Sequence, residues 1–386
     1  MLHSDSTQSL CSVFAPLLAS KSRIGRAEPA ERKHVAQLVA DCITPEMNRK
    51  GDTTGTWQKM RWLVVLYGAL TCATVDSNAW GQSAHRGSRH VAATHSTGSE
   101  GAIKNVFWQP NVIKQGSPVF ITVEFEAPAT RVSGTWVGKT LTFFKVDNPK
   151  VWYALAGNDL ETQPGTFSMD LVAALAGGRI ARLKKPVEIV SAYFKSGAID
   201  VPENFIEPDA ASRRQIASDE IAKARAYAHG DLKPLWSGDF LKPVEGVATQ
   251  TFGESRILNE EKSSTHRGTD YPVVSGTVVK ASNAGVVVVA KEMFHEGNCV
   301  IIDHGGRFFT IYMHLSKIDV AVGDKLVRGA KLGTSGATGR VTGPHMHYGV
   351  RWNGSYLNPV QLLALTLPKI EPTSAAPGSP RSPLRQ

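Results

Sequence analysis

Between residues 245 and 365 the chain is written as short β-branched runs separated by glycine, at 277–280, 285–290, 299–303, 308–313 and 348–352. Segments this short, bounded by turn formers and rich in Val, Ile and aromatics, are strands and not helices. The stretch therefore reads as a compact antiparallel β unit. Val286-Val287-Val288-Val289 shows no polar alternation, which predicts a strand covered on both faces. At 386 residues the chain is long enough for two or three domains. With 42% apolar and 20% charged residues it is neither a fibre nor wholly disordered.

Two groups of potential metal ligands fall within the β unit. One is Thr265-His266-Arg267-Gly268-Thr269-Asp270, the other Gly343-Pro344-His345-Met346-His347. In extended backbone, side chains at i and i+2 share a face, so His345 and His347 can both look into one cleft. Two imidazoles and one carboxylate around a zinc ion leave a fourth position open for water, as catalytic zinc requires. The four cysteines, at 11, 42, 72 and 299, have no CxxC spacing and no even distribution, which argues against a disulfide framework or a thiolate zinc site.

The ordered blocks His266-Arg267-Gly268-Thr269-Asp270-Tyr271, Val300-Ile301-Ile302-Asp303-His304-Gly305, Tyr312-Met313-His314-Leu315-Ser316, Val322-Gly323-Asp324-Lys325-Leu326-Val327-Arg328-Gly329, Gly333-Thr334-Ser335-Gly336-Ala337-Thr338-Gly339 and Gly343-Pro344-His345-Met346-His347 resemble the lysostaphin-type, LytM-like zinc metallopeptidases that cut peptidoglycan. The resemblance covers about residues 250 to 362. It implies a duplicated hybrid motif fold with one Zn²⁺ per chain held by His266, Asp270 and His347, and it gives catalysis to His345 and His314. One of these two can act as general base and the other can stabilise the oxyanion, with His345 favoured as base. Arg256 and Asn259, downstream of Phe252-Gly253, are expected at the rim of the domain as substrate-binding residues. Tyr348 is a third such candidate, because Tyr348-Gly349 stands where the family commonly has Phe and Glu. His295 and His304 match no ligand position and read as structural or solvated.

Elsewhere the chain divides by composition. The apolar run 62–73 follows Lys59 and Arg61 and precedes Ser77-Asn78-Ala79, the layout of a secretory signal over 60–79 with cleavage before Trp80. Residues 1–59 then read as an extension, with Met60 as the true start. Residues 80–102 are a Ser/Gly/His-rich linker. The strand-like runs of 103–200, with Ile113-Lys114-Gln115-Gly116-Ser117-Pro118-Val119 and Pro164-Gly165-Thr166-Phe167, resemble an immunoglobulin-like β-sandwich; in it 119–125 reads as a half-buried strand, and 141–146, 151–155, 166–172 and 187–192 as others. Residues 201–244 are expected as a helical linker whose apolar stripe is Ile216, Ile221 and Ala224, and 366–386 as a disordered tail.

The expectation is thus a mainly β zinc endopeptidase of the periplasm or secreted space, acting on peptidoglycan, without a membrane span after signal cleavage or an obligate protein partner. The alternative is a LytM-like non-catalytic activator of a cell-wall amidase, a class that typically lacks ligands this chain has. A biotinyl- or lipoyl-like carrier, suggested by Val322 to Gly329, has no modifiable lysine turn here. A net charge of +9 suits an anionic partner, but no interleaving of basic and aromatic residues points to nucleic acid.

Overall fold

The computed structural model describes residues 102–228 and 230–370. The expected extension, signal and nearly all of the 80–102 linker lie outside the described residues, as does 371–386. What is described is mainly β, and among those residues no helix is long and apolar enough to cross a membrane.

The first eight strands are β1 (Ile103–Gln109), β2 (Ile113–Lys114), β3 (Pro118–Phe125), β4 (Ala129–Trp136), β5 (Lys139–Thr140), β6 (Val151–Gly157), β7 (Gly165–Leu175) and β8 (Ile180–Val190). They make two sheets, ordered β1-β3-β6 and β2-β8-β7-β4-β5. Val119, Ile121 and Val123 of β3 share a core with Trp136, Met169 and Leu171 of the other sheet, and Trp108 meets Trp136 edge to face at 5.3 Å between ring centres. The 141–146 run is no strand; only Phe144 bridges to Tyr153.

The strand β3 departs from its expected half-burial, since Phe120 and Thr122 are buried as well. Their face is covered by aromatics in succession: Phe120 stacks on Tyr153, Phe144 touches Tyr153 and Trp236, Trp236 touches Phe240, and Phe240 touches Phe308. That path runs from the first β domain into the second, so one apolar core spans both. Thr366 exchanges two hydrogen bonds with the Gln109 side chain and Leu367 is buried, so the expected tail starts later than residue 366.

Between the domains, β9 (Ser196–Ile199) pairs in parallel with β10 (Ser255–Leu258), which pairs with β11 (Lys262–Thr265). Helix α1 (Ala210–Ala228) follows β9 and packs on the second domain. Its buried side corrects the expected stripe. Ile221 is exposed, while Ala222, Ala226 and Tyr227 pack inward and Asp219 is buried. The surface beneath explains the reversal, because Asp219 accepts from Lys291 Nζ at 2.7 Å and from the Phe294 amide at 2.9 Å, partners an apolar side chain would leave unsatisfied.

The second domain adds β12 (Gly268–Tyr271), β13 (Val278–Lys280), β14 (Gly285–Met293), β15 (Gly297–Asp303), β16 (Phe308–Ile318), β17 (Lys325–Leu326), β18 (Lys331–Ser335), β19 (Met346–Trp352) and β20 (Ser355–Leu357), then a short α2 (Pro359–Leu362). The main sheet path is β12-β19-β16-β15-β14-β17, antiparallel throughout. A register shift between Val287 and Val289 sends Val287 into the main core and Val289 into the cluster beneath α1. Val287 and Val289 are buried while Val286 and Val288 are half-buried, so the expected cover on both faces is only partial.

Candidate metal centre and active site

The antiparallel β12–β19 ladder sets Asp270 directly opposite His347, where side chains on one face come closest. His266 follows β11 and arrives from a second sheet. Three atoms converge: His266 Nε2 lies 3.1 Å from Asp270 Oδ1 and 2.9 Å from His347 Nδ1, and His347 Nδ1 lies 3.0 Å from the same Oδ1. The two imidazoles are buried. Gly268 makes room for this packing, since a Cβ there would collide with His347 Nε2.

The residues fit a zinc ion. Two imidazole nitrogens and a carboxylate oxygen aimed at one another share too few protons to satisfy every lone pair, and a cation at their centre satisfies all three. The His266 Nδ1–H donates to the Thr251 carbonyl at 2.9 Å, which fixes the tautomer and leaves Nε2 as a ligand atom. Burial alone would raise the Asp270 pKa, but the close contacts of its carboxylate with the His266 and His347 rings more than offset it and hold the carboxyl far below its usual range. Arg256 holds the other oxygen, with Nη2 3.2 Å from Asp270 Oδ2 and Nε 2.8 Å from Glu254 Oε2. Burial lowers the His347 pKa, which favours the neutral form a ligand needs.

His314 and His345 stand beside this group, their ring centres 4.8 Å apart. The His345 Nδ1–H donates to the Gly343 carbonyl and the His314 Nδ1–H to the Thr338 carbonyl, both at 2.9 Å. Each ring therefore presents Nε2 as a free acceptor, and His345 Nε2 is 3.7 Å from Asp270 Oδ1. His314 adopts φ +62°, a conformation a non-glycine residue holds only when its surroundings impose it. Its amide donates to the Glu296 carbonyl at 2.9 Å. Burial, then the charges of His347 and His345, hold its pKa down to about 3, which favours the neutral ring with Nε2 unprotonated. That differs from an oxyanion donor, the role expected for whichever histidine is not the base.

The cleft over the five residues has a volume of about 780 Å³. Of the three residues expected to contact substrate, Arg256 lines it. Asn259 and Tyr348 do not. The Asn259 side chain is spent on Val201, accepting from its amide at 2.7 Å and donating to its carbonyl at 2.9 Å. Tyr348 is fully buried and packs on Tyr312, because strand alternation turns it away from the cleft whenever His347 faces in. His304 is a buried structural residue, bonded to the Ala284 carbonyl and Thr310 Oγ1 at 2.7 Å each. His295 lines the cleft.

The sequence alone did not point to Thr251, Glu254, Thr338, Glu296, Lys223 or Arg340. The first four act through neighbours, as a carbonyl or a second carboxylate behind a ligand, and leave no ligand-type spacing. Lys223 belongs to α1, outside the domain that carries the motifs, and pairs with Glu296 at 2.5 Å and with Glu220 at 2.8 Å.

Residues 264–359 match Peptidase family M23. The chain is 43% identical over 114 residues, 29% of its length, to 26% of the peptidoglycan DD-endopeptidase ShyA of Vibrio cholerae. It is 43% identical over 106 residues, 27% of its length, to 24% of the DD-carboxypeptidase/endopeptidase Mpg of Neisseria meningitidis. The chain thus spans about a quarter of the length of these curated relatives. Among solved structures it is similar to the catalytic domain of lysostaphin from Staphylococcus simulans, with 26% identity over 37% of this chain and 98% of that one and a TM-score of 0.26.

Proposed function

We propose that this chain, whose residues 264–359 are a Peptidase family M23 domain, is a zinc-dependent endopeptidase that hydrolyses peptide bonds in peptidoglycan stem or cross-link peptides. The observation that carries the reading is the convergence of His266 Nε2, Asp270 Oδ1 and His347 Nδ1 beside two imidazoles whose Nε2 atoms are free to accept protons.

His266, Asp270 and His347 would hold the zinc ion, which would supply Lewis acidity toward the scissile carbonyl and lower the pKa of a water molecule. The chain's own groups do the rest. His345 Nε2 accepts the proton of the attacking water and returns it to the departing amine nitrogen as the C–N bond breaks. His314 Nε2, kept neutral by burial, accepts a hydrogen bond and orients that water. Arg256 neutralises the second oxygen of Asp270 and keeps its carboxylate turned to the metal.

The reading extends to location and domain type. The apolar run at 62–73 behind Lys59 and Arg61 supports export to the periplasm or beyond. An immunoglobulin-like first domain is supported by its strand pairing, β1-β3-β6 on one sheet and β8-β7-β4 on the other, which parallels the A-B-E and G-F-C groupings of that fold. The non-catalytic activator reading is not favoured, because the ligand set and both accessory histidines are complete.

The test is digestion of purified peptidoglycan with the purified chain, followed by mass spectrometry of the released fragments. New amino and carboxyl termini within the peptide cross-links are expected. Intact cross-links after incubation with zinc-loaded, folded protein contradict the proposal.

A further inference from the structure

We infer that Arg340 is an anion-binding residue of the cleft that takes a carboxylate of the stem peptide and so favours substrates with that carboxyl free over those with it amidated. This rests on the peptidoglycan reading above. Arg340 lines the cleft with His295, Glu296 and His314 and is half-buried. Among the described residues its guanidinium has no carboxylate within ion-pair distance.

The acids named along the cleft are already engaged. Glu296 is held by Lys223 at 2.5 Å, and Glu254 and Asp270 are held by Arg256 at 2.8 and 3.2 Å. Burial, and the repulsion of Arg256, work against the Arg340 charge, which the Glu296 charge only partly relieves. A partly desolvated cation without a partner is costly, and the cleft is where an anion from outside can reach it.

The loop that carries Arg340 is fixed at its base. The Arg340 amide donates to the His295 carbonyl at 2.9 Å, and Gly339, at φ +75°, packs so closely on Gly297 that no Cβ fits. The backbone is thus anchored beside the His314 end of the cleft while the side chain faces the space. A planar guanidinium with paired N–H donors suits a carboxylate better than any other group a stem peptide offers. Stem peptides bear free carboxylates wherever a diacid residue is linked through only one of its acid groups, and amidation removes that charge without changing the backbone.

The test uses the zinc-loaded full chain and two cross-linked muropeptides identical except for one carboxyl, free or amidated. Wild type is expected to show kcat/KM about tenfold or more higher on the acid, the scale of a hydrogen bond to a charged group. Arg340→Ala should lose that factor on the acid, change little on the amide and bring the ratio near one, and Arg340→Lys should fall between. Zinc content and melting temperature are measured on each variant; if Arg340→Ala is unfolded, the ratio for Arg340→Lys decides. Equal wild-type rates on both substrates, or an unchanged ratio in the variants, overturn the inference and leave the endopeptidase reading standing. A folded, zinc-loaded wild type that cuts neither substrate overturns both.

Discussion

Asp270 and His347 face each other across the β12–β19 ladder, with Oδ1 of one 3.0 Å from Nδ1 of the other. The pairing is a consequence of strand register, so these two residues are brought together by the sheet, while His266 reaches them from the connection between β11 and β12. A one-residue slip of β19 would turn His347 into the core and Tyr348 out. If the three residues share one zinc ion, as proposed, Asp270→Ala should leave less than a tenth of wild-type zinc after dialysis. Arg256→Met, which keeps all three ligands but frees Asp270 Oδ2, should weaken zinc affinity about tenfold to a hundredfold. Metal titration with a competing chelator measures both.

In the proposed mechanism His345 and His314 act on protons and not on the metal. His345→Ala and His314→Ala should each retain one zinc while peptidoglycan cleavage falls about a hundredfold or more. Zinc content and turnover are read on the same sample. Loss of zinc from a folded variant would make that histidine a ligand.

The buried Lys223–Glu296 pair ties α1 to the turn whose Glu296 carbonyl holds the His314 amide. Burial disfavours the Lys223 charge, but Glu296 and Glu220 more than offset this and raise its pKa above the ordinary lysine value. Lys223→Met leaves Glu296 unpaired and should cost about 3 kcal/mol of stability, with kcat reduced at full zinc occupancy. Lys223→Met with Glu296→Gln should recover most of the stability. Urea denaturation of both variants checks the pair; a single variant within about 0.5 kcal/mol of wild type contradicts it.

How much of this was legible in sequence follows from where each residue acts. His345-Met346-His347 was readable as one cleft-facing pair because strand alternation makes i and i+2 neighbours in any sheet, whereas the roles of His266 and Asp270 followed only from the resemblance to the lysostaphin-type family. The same rule, applied one residue further, places Tyr348 in the core; its position beside the motif outweighed its parity. Asn259 was read from its place near the rim, while its side chain closes a turn on Val201. The face of α1 was read from Ile216, Ile221 and Ala224, but what lies beneath the helix offers hydrogen-bonding groups to Asp219, and a periodicity of apolar residues does not report a polar anchor. Phe120 and Thr122 looked solvent-facing in alternation until the aromatic path through Trp236 and Phe240 covered them, a contact made by residues far along the chain.

His304 gives the fold a pH dependence of known sign. Burial lowers its pKa to about 4 against about 6.5 in the unfolded chain. A depressed histidine contributes stability that is fully present above pH 6.5 and is lost as pH falls toward 4, because the unfolded chain takes up the proton first. Between pH 7.5 and 4.5 the loss from this residue is about 2.5 kcal/mol. His304→Gln should be less stable at pH 7.5 but flatter over that range. Urea midpoints for both proteins at the two pH values check it, and equal slopes would contradict it.

The most direct test of the whole account is a zinc titration of chelator-stripped protein with peptidoglycan cleavage as the readout. The account predicts no cleavage without metal and recovery that saturates at one zinc per chain, with Asp270→Ala inactive at the same zinc concentration. Undiminished cleavage by the stripped protein, or by Asp270→Ala, would contradict it.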